Sequence, residues 1–230
     1  VPPVRALVID HDSESPAGRV GIRLESLGFV LDVAVATMSP DDPRPAGHLP
    51  GLDGYDLVVP CGAVWSVYDA SCANWVEPEL ALLRDAHSRG VPVLGLCFGG
   101  QALAAALGGR VEKAPGEEIG WFEVVSDQPE LIDPGPWLQW HHDRFAVPPG
   151  AVELARSDLC PQAFRAGRSL GLQFHPEIDL SMLETWVAGC DADYLARYRI
   201  EPDALLAESR RLIPQSEAAM VRLLDRFLAW

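Results

Sequence analysis

"VLGLCFGGQALAAALGG", residues 93–109, decides how the chain is read. A short apolar run meets a cysteine, glycines stand two residues to either side of it, and a run of good helix formers follows. That order describes a buried strand, a sharp turn and a helix. Such a turn lifts the side chain of Cys97 from the carboxyl end of a sheet. The helix behind it aims free amides and the positive end of its dipole at the sulfur, which favours an anion there. Gly95 and Gly99 let strand and helix approach closely. Free cysteine is also among the most buried residue types. The stretch alone therefore leaves Cys97 open between a nucleophile and a core thiol.

The same alternation continues to the N-terminal side. "VRALVID" (4–10), "VLDVAVA" (30–36), "YDLVVP" (55–60) and "PVLGLC" (92–97) read as strands. "AGRVGIRLESLGF" (17–29), "WVEPELALLRDAHSRG" (75–90) and "GQALAAALGG" (100–109) read as helices with glycine ends. Residues 39–54 are rich in proline and glycine, and no regular element is expected there. Helices between short, almost continuously apolar strands predict an α/β fold with an open, mostly parallel sheet covered on both faces. The middle changes character. "RVEKA", "GWFEVVSD", "WLQWHHDRFAVP", "AVELARSD", "PQAFRAG" and "SLGLQFHPE" read as short strands, a small antiparallel addition. After residue 178, "LSMLETWVAG", "EPDALLAESRRL" and "SEAAMVRLLDRFLAW" are amphipathic helices. No internal repeat is present. Residues 1–230 are expected to form one domain, with residues 190–230 as a helical closure packed on the sheet.

Composition narrows the partners. Thirty-three acidic residues against 18 basic ones give a net charge of −15, and Lys113 is the single lysine. This argues against nucleic acid and anionic membrane as general partners. The N-terminal stretch turns acidic too early for a secretory signal, and no apolar run spans a membrane. The five cysteines, 61, 72, 97, 160 and 190, are scattered. They read as reduced thiols of a cytoplasmic protein. Neither CxxC pairs nor HExxH occurs, so no metal is expected.

A thiolate nucleophile needs a base and a group to orient that base. "GLQFHPEI" (171–178) offers both, His175 and Glu177. Their i, i+2 spacing puts the two side chains on one face of an extended segment, stiffened by Pro176. Acyl transfer also needs an oxyanion hole. The amide of Phe98, directly after Cys97, supplies one donor. The amide of Gly62, in "VVPCGAVWSVYD" (58–69), supplies another from the end of a neighbouring strand. His141 and His142 lie on a strand and face opposite sides, so at most one reaches a cleft at Cys97. Asp143 and Arg144 can pair locally. His11, His48 and His87 receive no role.

Taken together, "LGLCFGGQALAAALGG", "EEIGWFEV" (117–124), "QWHHDRFAVPPGA" (139–151) and "LGLQFHPE" (170–177) resemble the class I glutamine amidotransferases. More narrowly, they are similar to the stand-alone members related to the glutaminase domain of GMP synthase. The resemblance spans residues 4–188. It implies a flavodoxin-like sheet with a triad of Cys97, His175 and Glu177, and an oxyanion loop at Pro60–Ala63 that includes Gly62. It implies that Gln101 belongs to the substrate pocket. The family's histidine–x–aspartate pattern favours His141 as a substrate contact. Two departures stand out. Gly100 occupies a place where the family often has histidine, and Cys61 and Ala63 flank Gly62 where it often has glycine and proline. The departure at Cys61 leaves a second, oxidation-sensitive cysteine near the site.

The expected activity is hydrolysis of the glutamine side-chain amide through a γ-glutamyl thioester, without metal or organic cofactor. The ammonia would serve a separate synthetase or transferase, because GxxxxGK[ST] and any second catalytic pattern are missing from the 230 residues. A stand-alone γ-glutamyl amide or peptide hydrolase would use the same residues. A non-catalytic binding or scaffold protein is the reading from another class. A homodimer is left open.

Overall fold

The computed structural model describes residues 3–12, 14–39 and 41–230. Strand β1 (Val4–Asp10) leads through helix α1 (Gly18–Ser26) to β2 (Phe29–Val35). β3 (Thr37–Ser39) and β4 (Asp42–Pro45) form a small separate ribbon. Part of the stretch expected to be irregular is therefore paired, and β4 itself carries Pro43 and Pro45 in a two-stranded ribbon where both of its strands are edges. β5 (Leu57–Pro60), α2 (Ala73–Ser88), β6 (Val93–Leu96) and α3 (Phe98–Ala106) follow. Then come β7 (Val111–Ser126), β8 (Gly135–Phe145), β9 (Val152–Arg156), β10 (Pro161–Ala166) and β11 (Ser169–Leu172). Helices α4 (Leu180–Gly189), α5 (Ala192–Tyr198) and α6 (Pro202–Leu228) end the chain.

Nine strands form one sheet in the order β2-β1-β5-β6-β11-β10-β9-β7-β8. The first five are mutually parallel and the joins from β11 outward are antiparallel. The antiparallel part is nearly half the sheet, larger than the small addition expected. β7 is one 16-residue strand rather than two short ones, because its register against β8 shifts between Lys113 and Glu118 and then resumes.

Alternation in the parallel strands divides the core. Ala6, Val8, Leu57, Val59, Leu94, Leu96, Leu170 and Leu172 face α1 and the apolar face of α6, which contributes Met220, Leu223, Leu224 and Phe227. Leu7, Ile9, Val58 and Val93 face α2 and α3. Each of the valine, leucine, isoleucine, methionine and phenylalanine side chains removed from water here contributes roughly 1.5–3 kcal/mol. α6 runs unbroken through Pro214, where two helices were expected. No helix among the described residues is long and apolar enough to cross a membrane.

Four neighbouring parallel strands, β1, β5, β6 and β11, release their following loops at the same end of the sheet. The order reverses direction at β1, where α1 leads to one side and the chain then returns to β5 on the other. A crevice at such a point, beyond the carboxyl ends of the strands, is where open α/β sheets hold ligands.

Candidate active site

The elbow takes the form expected of it. Cys97 has φ 48° and ψ −104°, one of two non-glycine residues with positive φ among those described. Holding an L-residue there costs on the order of 1–3 kcal/mol. Two close approaches hold the turn. A Cβ on Gly99 would lie 2.0 Å from the Pro60 carbonyl oxygen, and one on Gly100 would lie 2.2 Å from that of Leu172. The histidine common in the family at position 100 has no room here, because α3 rests directly on the end of β11.

Leu96 pairs with Leu172 in register, so Cys97 and Gln173 leave the sheet side by side. Gln173 Nε2 donates to Cys97 Sγ at 3.7 Å, and its Oε1 accepts from Gln101 Nε2 at 3.3 Å. Two residues on, the backbone N–H of His175 donates to the Leu138 carbonyl, and Nδ1 meets Glu177 Oε1 at 2.7 Å. His175 and Glu177 are both buried. Burial opposes charge on His175. The charges of Cys97 and Glu177 outweigh it and hold the imidazolium well above the ordinary histidine range. Nε2 of His175 has no hydrogen-bond partner among the described residues, and the Trp186 ring packs edge-on against the imidazole at 4.9 Å. The carbonyl of Glu177 accepts from the amide of Arg19 at the start of α1.

The loop after β5 lies against the histidine: a Cβ on Gly62 would touch His175 Cε1 at 3.4 Å. The amide of Gly99 donates to the Cys61 carbonyl at 2.9 Å and joins this loop to the elbow. Phe98 opens α3, and amides in the first turn of a helix have no intrahelical acceptor. Cys61 itself points into the core, fully buried, and burial with Asp10 and Glu177 nearby pushes its thiol well up. It is shielded rather than oxidation-sensitive.

A cavity of about 620 Å³ opens over Cys97, His175 and Phe98, walled by Trp65, Trp140 and Tyr194. Gln101 and His141 both border it. Their polar atoms already serve the wall: Gln101 Nε2 donates to the Asp143 carbonyl at 3.2 Å, and His141 Nδ1 donates to the same oxygen at 2.9 Å. His141 Nε2 faces Glu118 Oε2 at 3.1 Å. The Asp143 carboxylate accepts from Ser66 and Tyr68, and Arg144 pairs with Glu112, so these two do not pair with each other. His142, on the other face of β8, stands against Tyr194 OH at 2.9 Å, with burial pushing its pKa down. Gln173 and Tyr194 are site neighbours the sequence reading did not pick out, and both His141 and His142 line the cavity, where at most one was expected to reach it. Gln173 carries the one visible signal, its place two residues before His175.

The protein holds a second buried set of Cys, His and Glu: Glu118, His141 and Cys160, whose polar atoms lie within 4.8 Å of one another. Its chemistry differs. Cys160 stands on no elbow, burial and the Glu118 carboxylate push its thiol up to about 12, and it donates to Glu118 Oε2 at 3.6 Å. Gln162 Nε2 fills the centre, 2.8 Å from the same oxygen. Burial raises the Glu118 pKa, but hydrogen bonds from His141, Ser157 and Cys160 more than offset that and hold it low. This network braces β7, β8 and β10. Cys97, by contrast, stands on the elbow and lines the open cavity together with His175.

Comparison with known proteins agrees with this geometry. The family model for glutamine amidotransferase class-I matches residues 25–187. A glutamine amidotransferase from Thermotoga maritima superposes with a TM-score of 0.85 at 28% identity, over 99% of both chains. One from Methylobacillus flagellatus gives 0.81 at 28% identity, over 99% of this chain and 94% of the other. The glutamine-hydrolyzing GMP synthase of Yersinia pestis is 36% identical over 143 aligned residues, 51% of this chain. The chain spans only 27% of that relative's length. With the elbow, the sheet order and the family match in agreement, the chain belongs to the class-I glutamine amidotransferases.

Proposed function

We propose that the protein is a cysteine-dependent glutaminase in which Cys97, His175 and Glu177 form the triad. Cys97 thiolate attacks the side-chain carboxamide carbon of glutamine. The amides of Gly62 and Phe98 receive the oxyanion. His175 gives its proton to the amide nitrogen, the C–N bond breaks, and ammonia leaves a γ-glutamyl thioester on Cys97. Water, losing a proton to His175, attacks the thioester and restores the thiolate as glutamate departs. Glu177 keeps the imidazole in place and offsets its charge throughout. Gln101 and His141 shape the glutamine pocket by position, while Gln173 donates to the sulfur.

The observation that carries this reading is geometric: Cys97, on its positive-φ elbow, lines the same cavity as His175, whose Nδ1 meets Glu177 Oε1 at 2.7 Å. Incubation with glutamine, followed by measurement of glutamate, tests it. Glutamate release that disappears in Cys97→Ala is the expected result. Persistence of release in that variant sinks the assignment.

In this reading residues 1–230 act as one cytoplasmic glutaminase domain, and the ammonia goes to a separate synthetase or transferase, with glutamine as the donor. A second reading rests on the cavity. At about 620 Å³ it lies in the roughly 300–1,000 Å³ range of sites for larger ligands, roomier than one amino acid needs. Its aromatic walls suit γ-glutamyl amides of larger amines. Faster cleavage of such amides than of glutamine would favour it.

A further inference from the structure

His11 follows β1 and is wholly buried, as is Glu79 on α2. Neither belongs to the triad, yet His11 touches both residues whose amides are assigned to the oxyanion. Its Nδ1 donates to the Gly62 carbonyl at 3.0 Å, and Nε2 meets Glu79 Oε2 at 2.8 Å. Its ring packs edge-on against Phe98 at 4.6 Å and tilted against Trp75 at 5.4 Å. We propose that the His11–Glu79 pair is a positioning clamp for the oxyanion hole, fixing the Gly62–Ala63 peptide plane from behind.

The geometry of a trans peptide carries the argument. Carbonyl and N–H of one peptide unit point in opposite directions. The Cys61–Gly62 unit is fixed by Gly99, whose amide holds the Cys61 carbonyl on the α3 side. The next unit, Gly62–Ala63, has its carbonyl held by His11. The Gly62 N–H belongs to the first of these units and the Ala63 N–H to the second, so His11 acts on the Gly62 amide one step removed: with the carbonyls on both sides of Gly62 anchored, rotation about the Gly62 Cα is stopped. Gly62 has no side chain to resist rotation, so a loop without the second anchor can swing. Glu79 makes His11 a dependable donor. A carbonyl demands a proton on Nδ1, and a carboxylate at 2.8 Å fixes the ring's rotation through Nε2. Burial opposes charge on His11, and Glu79 more than offsets that.

This role rests on the glutaminase reading above. The test compares His11→Leu, His11→Asn and Glu79→Gln. Asparagine can place an N–H near the position of Nδ1, whereas leucine cannot. For His11→Leu, kcat with glutamine should fall about 10- to 100-fold, short of the roughly 10²–10³ cost of deleting an oxyanion donor. KM should stay within about threefold, since the loss falls on the transition state. His11→Asn should recover most of the loss. Alkylation of Cys97 by iodoacetamide, a displacement that forms no oxyanion, should keep the wild-type rate in all three. Should His11→Leu fail to fold, Glu79→Gln keeps the shape and must still lower kcat at constant KM. Unchanged kcat, parallel loss of alkylation, or asparagine no better than leucine overturns the clamp. A wild type that hydrolyses no glutamine strikes the glutaminase reading, and the clamp with it. An active wild type beside an unimpaired His11→Leu strikes the clamp alone.

Discussion

Leu96 and Leu172 pair across β6 and β11, and the next residue on each strand, Cys97 and Gln173, meet at 3.7 Å. The register of a parallel pair thus delivers a donor to the sulfur of Cys97, the nucleophile of the mechanism proposed above. Gln173→Leu keeps the volume and removes the N–H. It should lower kcat about tenfold, in line with the roughly 1.5 kcal/mol or more of a hydrogen bond to a charged group. Steady-state kinetics on glutamine check this, and unchanged kcat contradicts it.

In the mechanism proposed above, the imidazolium of His175 sets the alkaline limb of the pH profile. Its folded pKa is raised well above 6.5. The proton needed by departing ammonia is therefore present through neutral pH and is lost only as pH rises through that raised value. The linked stability follows the same sign: full below about 6.5, lost as pH climbs through the folded pKa. Glu177→Gln removes one of the charges that raise it and should move the limb to lower pH. A pH–rate profile identical to wild type would refute the link.

The two cysteine clusters separate by reactivity. Cys160, its thiol pushed up to about 12, stays protonated near neutral pH, and thiolate is the reactive form. Brief iodoacetamide treatment followed by peptide mapping should find Cys97 modified first and Cys160 intact. Cys160→Ser should retain glutaminase activity within about twofold, as a conservative change away from the reacting atoms. Loss of turnover in that variant would move the chemistry to the second cluster.

Gly100 is fixed by space. The 2.2 Å approach of a Cβ to the Leu172 carbonyl means that Gly100→Ala must push α3 off β11. The expected cost is about 1–3 kcal/mol. At about 2–4 °C per kcal/mol for a chain this long, thermal unfolding reads it directly. A melting temperature equal to wild type counts against it.

The parallel half of the sheet was legible because its strands are short, apolar and bounded by glycine-ended helices. Cys97 was legible for the same reason: strand, turn and helix are local. His175 and Glu177 were legible as a neighbouring pair. What joins them to Cys97 was not, since β11 reaches β6 only through tertiary pairing. The same holds for His11 and Glu79, which meet across 68 residues of sequence. β7 was broken into pieces because its register shift mimics a turn, and α6 was split because Pro214 looks like a stop. The proline sits inside a helix whose apolar face is held by the sheet. The histidine–x–aspartate pattern points to His141, which borders the cavity with its ring between the Asp143 carbonyl and Glu118, while His142 borders it beside Tyr194.

β11 enters the sheet between β6 and β10, so the whole antiparallel half of the chain separates it in sequence from the strand that carries Cys97. The triad proposed above is therefore assembled by one long-range register. A one-residue slip of β11 against β6 would turn every side chain of β11 to the other face and part His175 from Cys97, while leaving each local signal in the sequence intact.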